Sequence, residues 1–193
     1  MSSQVHGTQE FNKTKRAETK FSEDAMIAAQ KIIAQYPADK RKSAMLPVLH
    51  IAQAEFGGWL SPEAMDYVAS LLKVKPIEVF EVASFYSMYN LKPMGKCVLE
   101  VCQTSSCWLN GAEDIIKYIE KKLNIKVGET SSDGMFSLKA VECLGSCGTA
   151  PMLQCGASFH ENLTYDKLDK IMDGYRAEGK LKSYTDKDYK NTL

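Results

Sequence analysis

Long apolar runs are missing from the sequence, and none approaches the roughly 20 residues that a membrane-spanning helix needs. The first residues, Met1-Ser-Ser-Gln-Val-His-Gly7, also lack the apolar core of a signal peptide. Net charge is absent as well, because 24 basic residues balance 24 acidic ones. No overall positive field therefore recruits nucleic acid or anionic lipid. We expect a soluble, intracellular protein that neither crosses a membrane nor binds nucleic acid by bulk electrostatics.

Two motifs that would give the chain its own redox chemistry are also missing. No Gly-x-Gly-x-x-Gly follows a predicted strand, so nothing indicates a dinucleotide site. No Cys-x-x-Cys occurs, and this excludes the usual motif of a dithiol oxidoreductase. The three histidines, His6, His50 and His160, share no spacing typical of metal ligands. Any hydride chemistry is therefore expected on a partner protein.

Cysteine does occur in a functional pattern. Four residues separate Cys102 from Cys107, and three separate Cys143 from Cys147. Two such close pairs can offer four thiolates to one centre, either a tetrahedral zinc ion or a two-iron cluster. The spacing favours iron only modestly, so a zinc site that merely stabilises the fold remains an alternative at this point.

Capping residues and apolar periodicity predict a small helical bundle over residues 21–91. Ser22 is placed to cap a first helix, and a second helix ends at Gly57-Gly58. Ser61-Pro62 and Pro76 are typical starts of two more helices. Residues 1–20 are predicted to be a mobile polar tail, because they contain too little apolar surface to order the backbone.

The pattern changes at Lys96, and residues 96–180 predict a sheet layered with helices, giving an α+β fold overall. Residues 97–101 are predicted to be a strand that leads into the first cysteine pair, and a helix follows that pair. A further strand leads to Cys143, a hairpin surrounds Gly156, and Thr164 caps a last helix. Residues 181–193 are predicted to be a second polar tail.

The sequence around the four cysteines closely resembles that of one protein family. Val101-Cys-Gln-Thr-Ser-Ser-Cys107 and Val141-Glu-Cys-Leu-Gly-Ser-Cys-Gly-Thr-Ala-Pro151 are similar to the thioredoxin-like 2Fe-2S subunit of the NADH-dehydrogenase module of respiratory complex I. The resemblance runs from about residue 25 to 175 and includes Val82-Ala-Ser-Phe-Tyr-Ser87 and the stretch 128–136. It implies a thioredoxin-like domain that binds one 2Fe-2S cluster. The implied ligands of the cluster are Cys102, Cys107, Cys143 and Cys147.

The resemblance also implies a function. The chain would carry single electrons within an NADH:quinone oxidoreductase, while a partner flavoprotein binds FMN and NADH and further iron-sulfur subunits complete the complex. It would lie peripherally on the cytoplasmic side of a bacterial membrane, or on the matrix side in mitochondria. The same subunit type serves soluble NAD-linked hydrogenases and formate dehydrogenases, and a zinc-stapled interaction domain without a redox role is the alternative of another class.

A 2Fe-2S cluster is negatively charged, so we expect hydrogen-bond donors around it. The candidates are the helix after Cys107, the positive-φ turns that Gly145 and Gly148 permit, and the hydroxyl groups of Thr104, Ser105, Ser106 and Ser146. Pro151 is similar to the proline that faces the active site in thioredoxin-like folds, and its peptide isomer cannot be predicted.

Three residues or stretches outside this set are also assigned. Cys97 and Cys155 are expected to be separate buried thiols that fill apolar strands, with a disulfide between them as the lesser alternative. The aromatic stretch Val82-Ala-Ser-Phe-Tyr-Ser-Met-Tyr89 is a candidate contact for the flavoprotein, although it could equally pack the bundle.

Overall fold

The computed structural model describes residues 19–182. The predicted polar tails, 1–20 and 181–193, lie outside these residues except for two residues at the inner end of each. The chain first forms four helices, and then a sheet with three further helices. The elements are α1 (Glu23–Ile33), α2 (Met45–Glu55), α3 (Pro62–Leu72), α4 (Pro76–Phe85), β1 (Cys97–Cys102), α5 (Ser105–Leu109), α6 (Ala112–Leu123), β2 (Phe136–Val141), β3 (Leu153–Cys155), β4 (Ser158–His160) and α7 (Tyr165–Glu178).

Helices α1 and α3 begin at their predicted capping residues, and α4 begins at Pro76 as predicted. The Ser22 hydroxyl accepts a hydrogen bond from the backbone N–H of Ala25, and the Ser61 hydroxyl accepts one from Ala64. A 3-10 segment, Ala38–Ala44, precedes α2 and was not predicted. These helices enclose one apolar cluster, whose fully buried members include Val48, Leu49, Val68 and Leu72.

The sheet has the strand order β2-β1-β3-β4. β1 and β2 are parallel with Cys97 opposite Phe136 and Cys102 opposite Val141, and α5 and α6 form the crossover between them. β3 runs antiparallel to β1, and β3 and β4 form the predicted hairpin. A second apolar cluster lies between the sheet and its helices, with Leu99, Ile119, Leu138, Leu153 and Met172 fully buried. The predicted α+β class is confirmed.

Cys97 and Cys155 form a disulfide, so the expectation of two separate thiols is wrong. Both residues are fully buried, as predicted. They lie on the same face of the neighbouring strands β1 and β3, and their Cα atoms are 6.1 Å apart. This separation lies within the range that a disulfide spans. Strand pairing creates the contact, and the sequence does not specify which strands pair.

Polar contacts join the helical half to the sheet half. The Lys139 ammonium group, on β2, donates to the Ser87 carbonyl oxygen at 2.7 Å and to Asn90 Oδ1 at 3.0 Å. It also pairs with the buried Glu100 carboxylate at 3.4 Å. On the helical side, Gln53 Oε1 accepts from the Asn90 backbone N–H at 2.6 Å. The domain boundaries 21–91 and 96–180 remain a prediction.

Between residues 19 and 182, no helix combines the length and the apolar character that a bilayer span requires.

Candidate metal centre

The four predicted ligands lie where strands of the sheet end. Cys102 is the last residue of β1, and Cys107 lies within α5, one helical turn further along the chain. Cys143 follows β2 by two residues, and Cys147 begins a short 3-10 segment, Cys147–Thr149. Because β1 and β2 are parallel neighbours, both pairs leave the same edge of the sheet. Cys102 and Cys107 are buried, while Cys143 and Cys147 are exposed.

Direct sulfur contacts form within each pair. Cys143 Sγ and Cys147 Sγ are 3.4 Å apart, and the thiols of Cys102 and Cys107 interact by a hydrogen bond. The Thr104 hydroxyl lies 3.3 Å from Cys102 Sγ. The pKa of Cys143 is lowered mainly by the Gly145 N–H, and Thr104 acts in the same direction. The fold thus places both predicted pairs at the same end of two neighbouring strands, and their role as one four-ligand site stays a prediction.

The four cysteines are arranged as two pairs. Within residues 19–182, no group of three or more His, Cys, Asp or Glu side chains is arranged to hold a metal ion. Four cysteine thiolates are nevertheless the ligand set of a 2Fe-2S cluster. The donor chemistry and the two contacting pairs therefore fit this cofactor.

Burial acts to raise the pKa of the two buried thiols, whereas hydrogen bonds raise the pKa of some thiols and lower that of others. Burial raises the pKa of Cys107 to about 11, and the hydrogen bond with Cys102 acts in the same direction. Burial also opposes ionisation of Cys102, but hydrogen bonds from the Thr104 hydroxyl and backbone leave its pKa below the usual value. The Gly145 backbone N–H, 3.4 Å from Cys143 Sγ, lowers the pKa of Cys143. One thiol of each pair is thus prepared for ionisation, and ionised thiolates are the form that binds metal.

Backbone N–H groups supply most of the donors. Leu144 donates to Cys102, Met152 donates to Cys107, and Gly145 donates to Cys143. A helix does follow Cys107, because α6 begins at Ala112, and Ala112 packs with Cys102 and Cys107. The role of its first N–H groups stays a prediction, and the donors described here come from Thr104 and from the loop that carries the second pair.

The predicted hydroxyl groups divide into several roles. Thr104 contacts sulfur as expected, and Ser106 hydrogen-bonds with Cys147. Ser146 instead bonds with Thr149 and with the carboxylate of Glu161. Ser105 is exposed.

The two glycines of the second loop also differ. Gly145 has a φ of +84°, as predicted for a turn that brings an amide to sulfur. Gly148 lies inside the 3-10 segment, and its φ is not positive, so the prediction for Gly148 is wrong.

Apolar groups cover the inner side of the site. Met152 is buried against Cys102, Cys107 and Ala112, and Leu144 packs on the same cluster. Met152 follows Pro151, whose peptide bond with Ala150 is cis. The Pro151 carbonyl oxygen accepts from the Leu163 backbone N–H at 2.9 Å. These apolar groups keep water away from the buried pair, Cys102 and Cys107.

Glu161 is the residue at this site that the sequence did not reveal. It follows β4, and its carboxylate reaches the loop of the second cysteine pair. No spacing relation to a cysteine marks Glu161, because its position depends on the β3–β4 hairpin folding back along the loop. Only the tertiary structure brings it into view.

Comparison with known families gives the arrangement a context. Residues 29–176 match the sequence model of the family described as thioredoxin-like 2Fe-2S ferredoxin. The chain belongs to this family. The family of 2Fe-2S ferredoxins supports the iron-sulfur interpretation of the four thiols, and its thioredoxin-like fold agrees with the sheet described above.

Individual relatives are similar in sequence over most of this chain. An NADH-quinone oxidoreductase subunit of Rickettsia felis is 45% identical over 155 residues, which cover 80% of this chain and 93% of that protein. The mitochondrial NADH dehydrogenase (ubiquinone) flavoprotein 2 of Dictyostelium discoideum is 42% identical over 153 residues, covering 79% of this chain and 62% of that protein.

A solved structure is similar in fold. A chain of an NAD+-reducing NiFe-hydrogenase in the H2-reduced state aligns with a TM-score of 0.60 and 17% identity. The alignment covers 69% of this chain and 22% of that chain. At this level of identity, the likeness supports the fold alone.

Proposed function

We propose that this chain is the 2Fe-2S electron-transfer subunit of an NADH:quinone oxidoreductase, the respiratory complex I. The observation that carries the proposal is the position of two cysteine pairs at the same end of the neighbouring strands β1 and β2, in a chain 45% identical to a protein named as a subunit of that enzyme. Cys102, Cys107, Cys143 and Cys147 are the proposed ligands, and no residue of the chain is assigned a catalytic role.

The chain's own residues perform three tasks in this proposal. The four thiolates hold the cluster, which when bound takes up and releases one electron at a time. The Thr104 hydroxyl and the N–H groups of Gly145, Leu144 and Met152 direct positive dipoles at the sulfurs and stabilise added negative charge. Met152, itself buried, excludes water from Cys102 and Cys107.

The electron donor is assigned to another protein. The sequence contains no dinucleotide fingerprint, so NADH oxidation is placed on a flavoprotein whose FMN passes one electron to this chain. Other iron-sulfur subunits of the complex are further partners. The proposed location is peripheral, on the cytoplasmic face of a bacterial membrane or the matrix face in mitochondria.

Part of the predicted aromatic contact is available on the surface. Phe85 is 80% exposed and Tyr86 is 37% exposed, whereas Tyr89 is buried in the helical core. Ile77 and Phe80 extend the exposed apolar surface along α4. Large aromatic groups at the surface are typical of interface cores, so this face of α4 is the proposed contact with the flavoprotein.

The related assignment to a soluble hydrogenase has less support, because the likeness to a hydrogenase chain concerns the fold alone. The relatives with 42–45% identity are named as components of quinone-linked or ubiquinone-linked enzymes. These names favour the quinone-linked complex.

The test is the composition and spectrum of the anaerobically purified chain. We expect a reddish-brown protein with about two irons and two acid-labile sulfides, whose one-electron EPR signal appears only after reduction. NADH alone should leave the cluster oxidised, whereas adding the flavoprotein with NADH should reduce it. A colourless protein that contains stoichiometric zinc, or reduction by NADH without any flavoprotein, would contradict the proposal.

Cysteine variants test the ligand assignment with the same spectrum. Serine at Cys102, Cys107, Cys143 or Cys147 should abolish or alter the EPR signal, since each removes a thiolate. Cys97→Ala and Cys155→Ala are the matched controls, and they should keep the signal while losing stability with the disulfide. If a folded control variant loses the cluster, the ligand set is wrong.

A further inference from the structure

Glu161 lies outside both cysteine motifs, yet its carboxylate contacts the loop that carries the second pair. The Ser146 hydroxyl donates to Glu161 Oε1, and Thr149 Oγ1 lies 2.8 Å from the same oxygen. The two hydroxyl groups are themselves 2.8 Å apart. Glu161 Oε1 thus accepts hydrogen bonds from the residue before Cys147 and from the residue two positions after it.

Further hydrogen bonds extend this network on both sides of Cys147. Thr149 also bonds back to the Ser146 carbonyl oxygen through its backbone N–H at 3.2 Å. The Asn162 backbone N–H donates to the Thr149 carbonyl oxygen at 2.7 Å. The 3-10 segment Cys147–Thr149 is therefore fastened to the chain that follows β4 by both main-chain and side-chain bonds.

This hydrogen-bond network matters because little side-chain packing holds the loop of the second cysteine pair. Cys143, Gly145 and Cys147 are exposed, in contrast to the buried first pair. An exposed loop without a packed apolar core opens readily unless hydrogen bonds restrain it. Bonds to an ionised carboxylate are the stronger kind, so they suit this task.

The surroundings of Glu161 keep it in place and ionised. Hydrogen bonds from Ser146 and Thr149 lower the pKa of the Glu161 carboxyl. The Lys167 ammonium group, from the first turn of α7, donates to the Glu161 backbone carbonyl oxygen. Glu161 is thus fixed from one side by α7 and contacts the cysteine loop from the other.

We propose that Glu161 is a positioning residue that fixes the Cys143–Cys147 loop in its cluster-binding conformation and places one negative charge beside the site. The second part of this inference, the effect of the charge on the site, rests on the proposed 2Fe-2S function. The first part, restraint of the loop by the Glu161 oxygen, concerns the chain alone and can be measured with or without iron.

The experiment compares two substitutions at one position. Glu161→Ala removes the accepting oxygen, whereas Glu161→Gln keeps an amide oxygen that both hydroxyls can reach and removes only the charge. Glu142→Ala is the matched control, because Glu142 is an exposed carboxylate next to Cys143. Circular dichroism checks that each full-length variant is folded.

Hydrogen exchange of the peptide covering residues 143–151 is the first measurement. Glu161→Ala should exchange at least about tenfold faster than the unchanged chain, as expected when a charged hydrogen bond is lost. Glu161→Gln should exchange clearly more slowly than Glu161→Ala, since it replaces charged hydrogen bonds with neutral ones. Glu142→Ala should stay within about threefold of the wild-type chain, since Glu142 makes none of these bonds. Equal exchange in all four proteins, or a Gln variant as fast as the Ala variant, would overturn the positioning role.

Two measurements on the iron-loaded chain test the link to the cluster. Release of iron to a chelator should accelerate at least about tenfold in Glu161→Ala and clearly less in Glu161→Gln, which keeps neutral hydrogen bonds. The midpoint potential of Glu161→Gln should shift to a more positive value, because a nearby negative charge is removed. An unshifted potential would refute the charge effect. If the chain without any substitution binds no iron, the proposed function is refuted. Hydrogen exchange would then still decide whether Glu161 restrains the loop.

Discussion

The Thr104 hydroxyl lies beside the buried cysteine pair, 3.3 Å from Cys102 Sγ. It also acts with the Gly145 N–H, the larger cause, to lower the pKa of Cys143. A hydroxyl donor directed at a thiolate stabilises negative charge there, and the charge increases when an electron is added. Thr104 should therefore influence the redox potential of the site without being a ligand.

Thr104→Val tests this influence, since it replaces the hydroxyl with a methyl group of similar size. A net hydrogen bond contributes about 1 kcal/mol. For a one-electron couple, this corresponds to a midpoint potential roughly 40 mV more negative. A redox titration followed by EPR measures the shift. Thr104→Ser keeps the hydroxyl and should keep the potential, so an equal shift in both variants would contradict the role.

At the residue level, the sequence revealed those site features that depend on local spacing. The four thiols and Thr104 lie within two short stretches, so their proximity could be predicted from the motifs. Glu161 and the Cys97–Cys155 disulfide depend on which strands lie side by side. Pairing between β1, β3 and β4 is a tertiary property, and for this reason neither contact was predicted as such.

At the level of elements, Gly95 shows how closely two segments approach. A Cβ atom added to Gly95 would lie 2.8 Å from the backbone carbonyl carbon of Phe136 and 2.9 Å from its nitrogen. The Gly95 N–H donates to the Ser137 hydroxyl at 2.7 Å. The chain entering β1 thus lies directly against the start of β2, and this contact requires a residue without a side chain.

Gly95→Ala should therefore destabilise the sheet half. Neither backbone segment can move aside cheaply, and overpacking of this kind costs about 1–3 kcal/mol. Urea unfolding followed by circular dichroism measures the loss. Gly174→Ala is the control, because Gly174 lies inside α7 with no atom within 4 Å of an added Cβ. It should stabilise the chain by roughly 0.5–1 kcal/mol. Similar effects at both positions would show that close approach is not the cause.

Helix starts were well predicted, because Ser22, Ser61 and Thr164 each form the capping bond that their position indicates. The crossover was less accessible to sequence reasoning. α5 is only five residues long, so its apolar pattern is too short to separate it from the helix that follows.

At the scale of the whole molecule, two apolar clusters occupy the two halves of the chain. We propose that residues 21–91 and 96–180 are two structural units joined at the contacts of Lys139. That ammonium group bonds with Ser87 and Asn90 on one side and with the buried Glu100 on the other. A single side chain thus connects the two units through three polar partners.

Lys139→Met should weaken this connection. The substitution keeps much of the aliphatic stem but removes hydrogen bonds to a charged donor, and we expect a loss of roughly 2 kcal/mol in the free energy of unfolding. Denaturant unfolding of the full chain measures the loss. The control is Lys117→Met, at a lysine that is 66% exposed and pairs only with Glu113 among the salt bridges described. It should change stability by less than about 0.5 kcal/mol. Equal losses would show that Lys139 does not join the units.

The parallel pairing of β1 with β2 also has a consequence for biosynthesis. Cys102 and Cys143 become neighbours only after the chain between them has completed its crossover and β2 has docked beside β1. Such non-local pairing is slow to form compared with local helices. A newly made chain therefore has two separate dithiols before this step, and the proposed four-thiol site can form only after it. Delivery of iron and sulfide should follow docking of β2, and the exposed loop of Cys143 and Cys147 is the side from which a maturation factor can reach the folded chain.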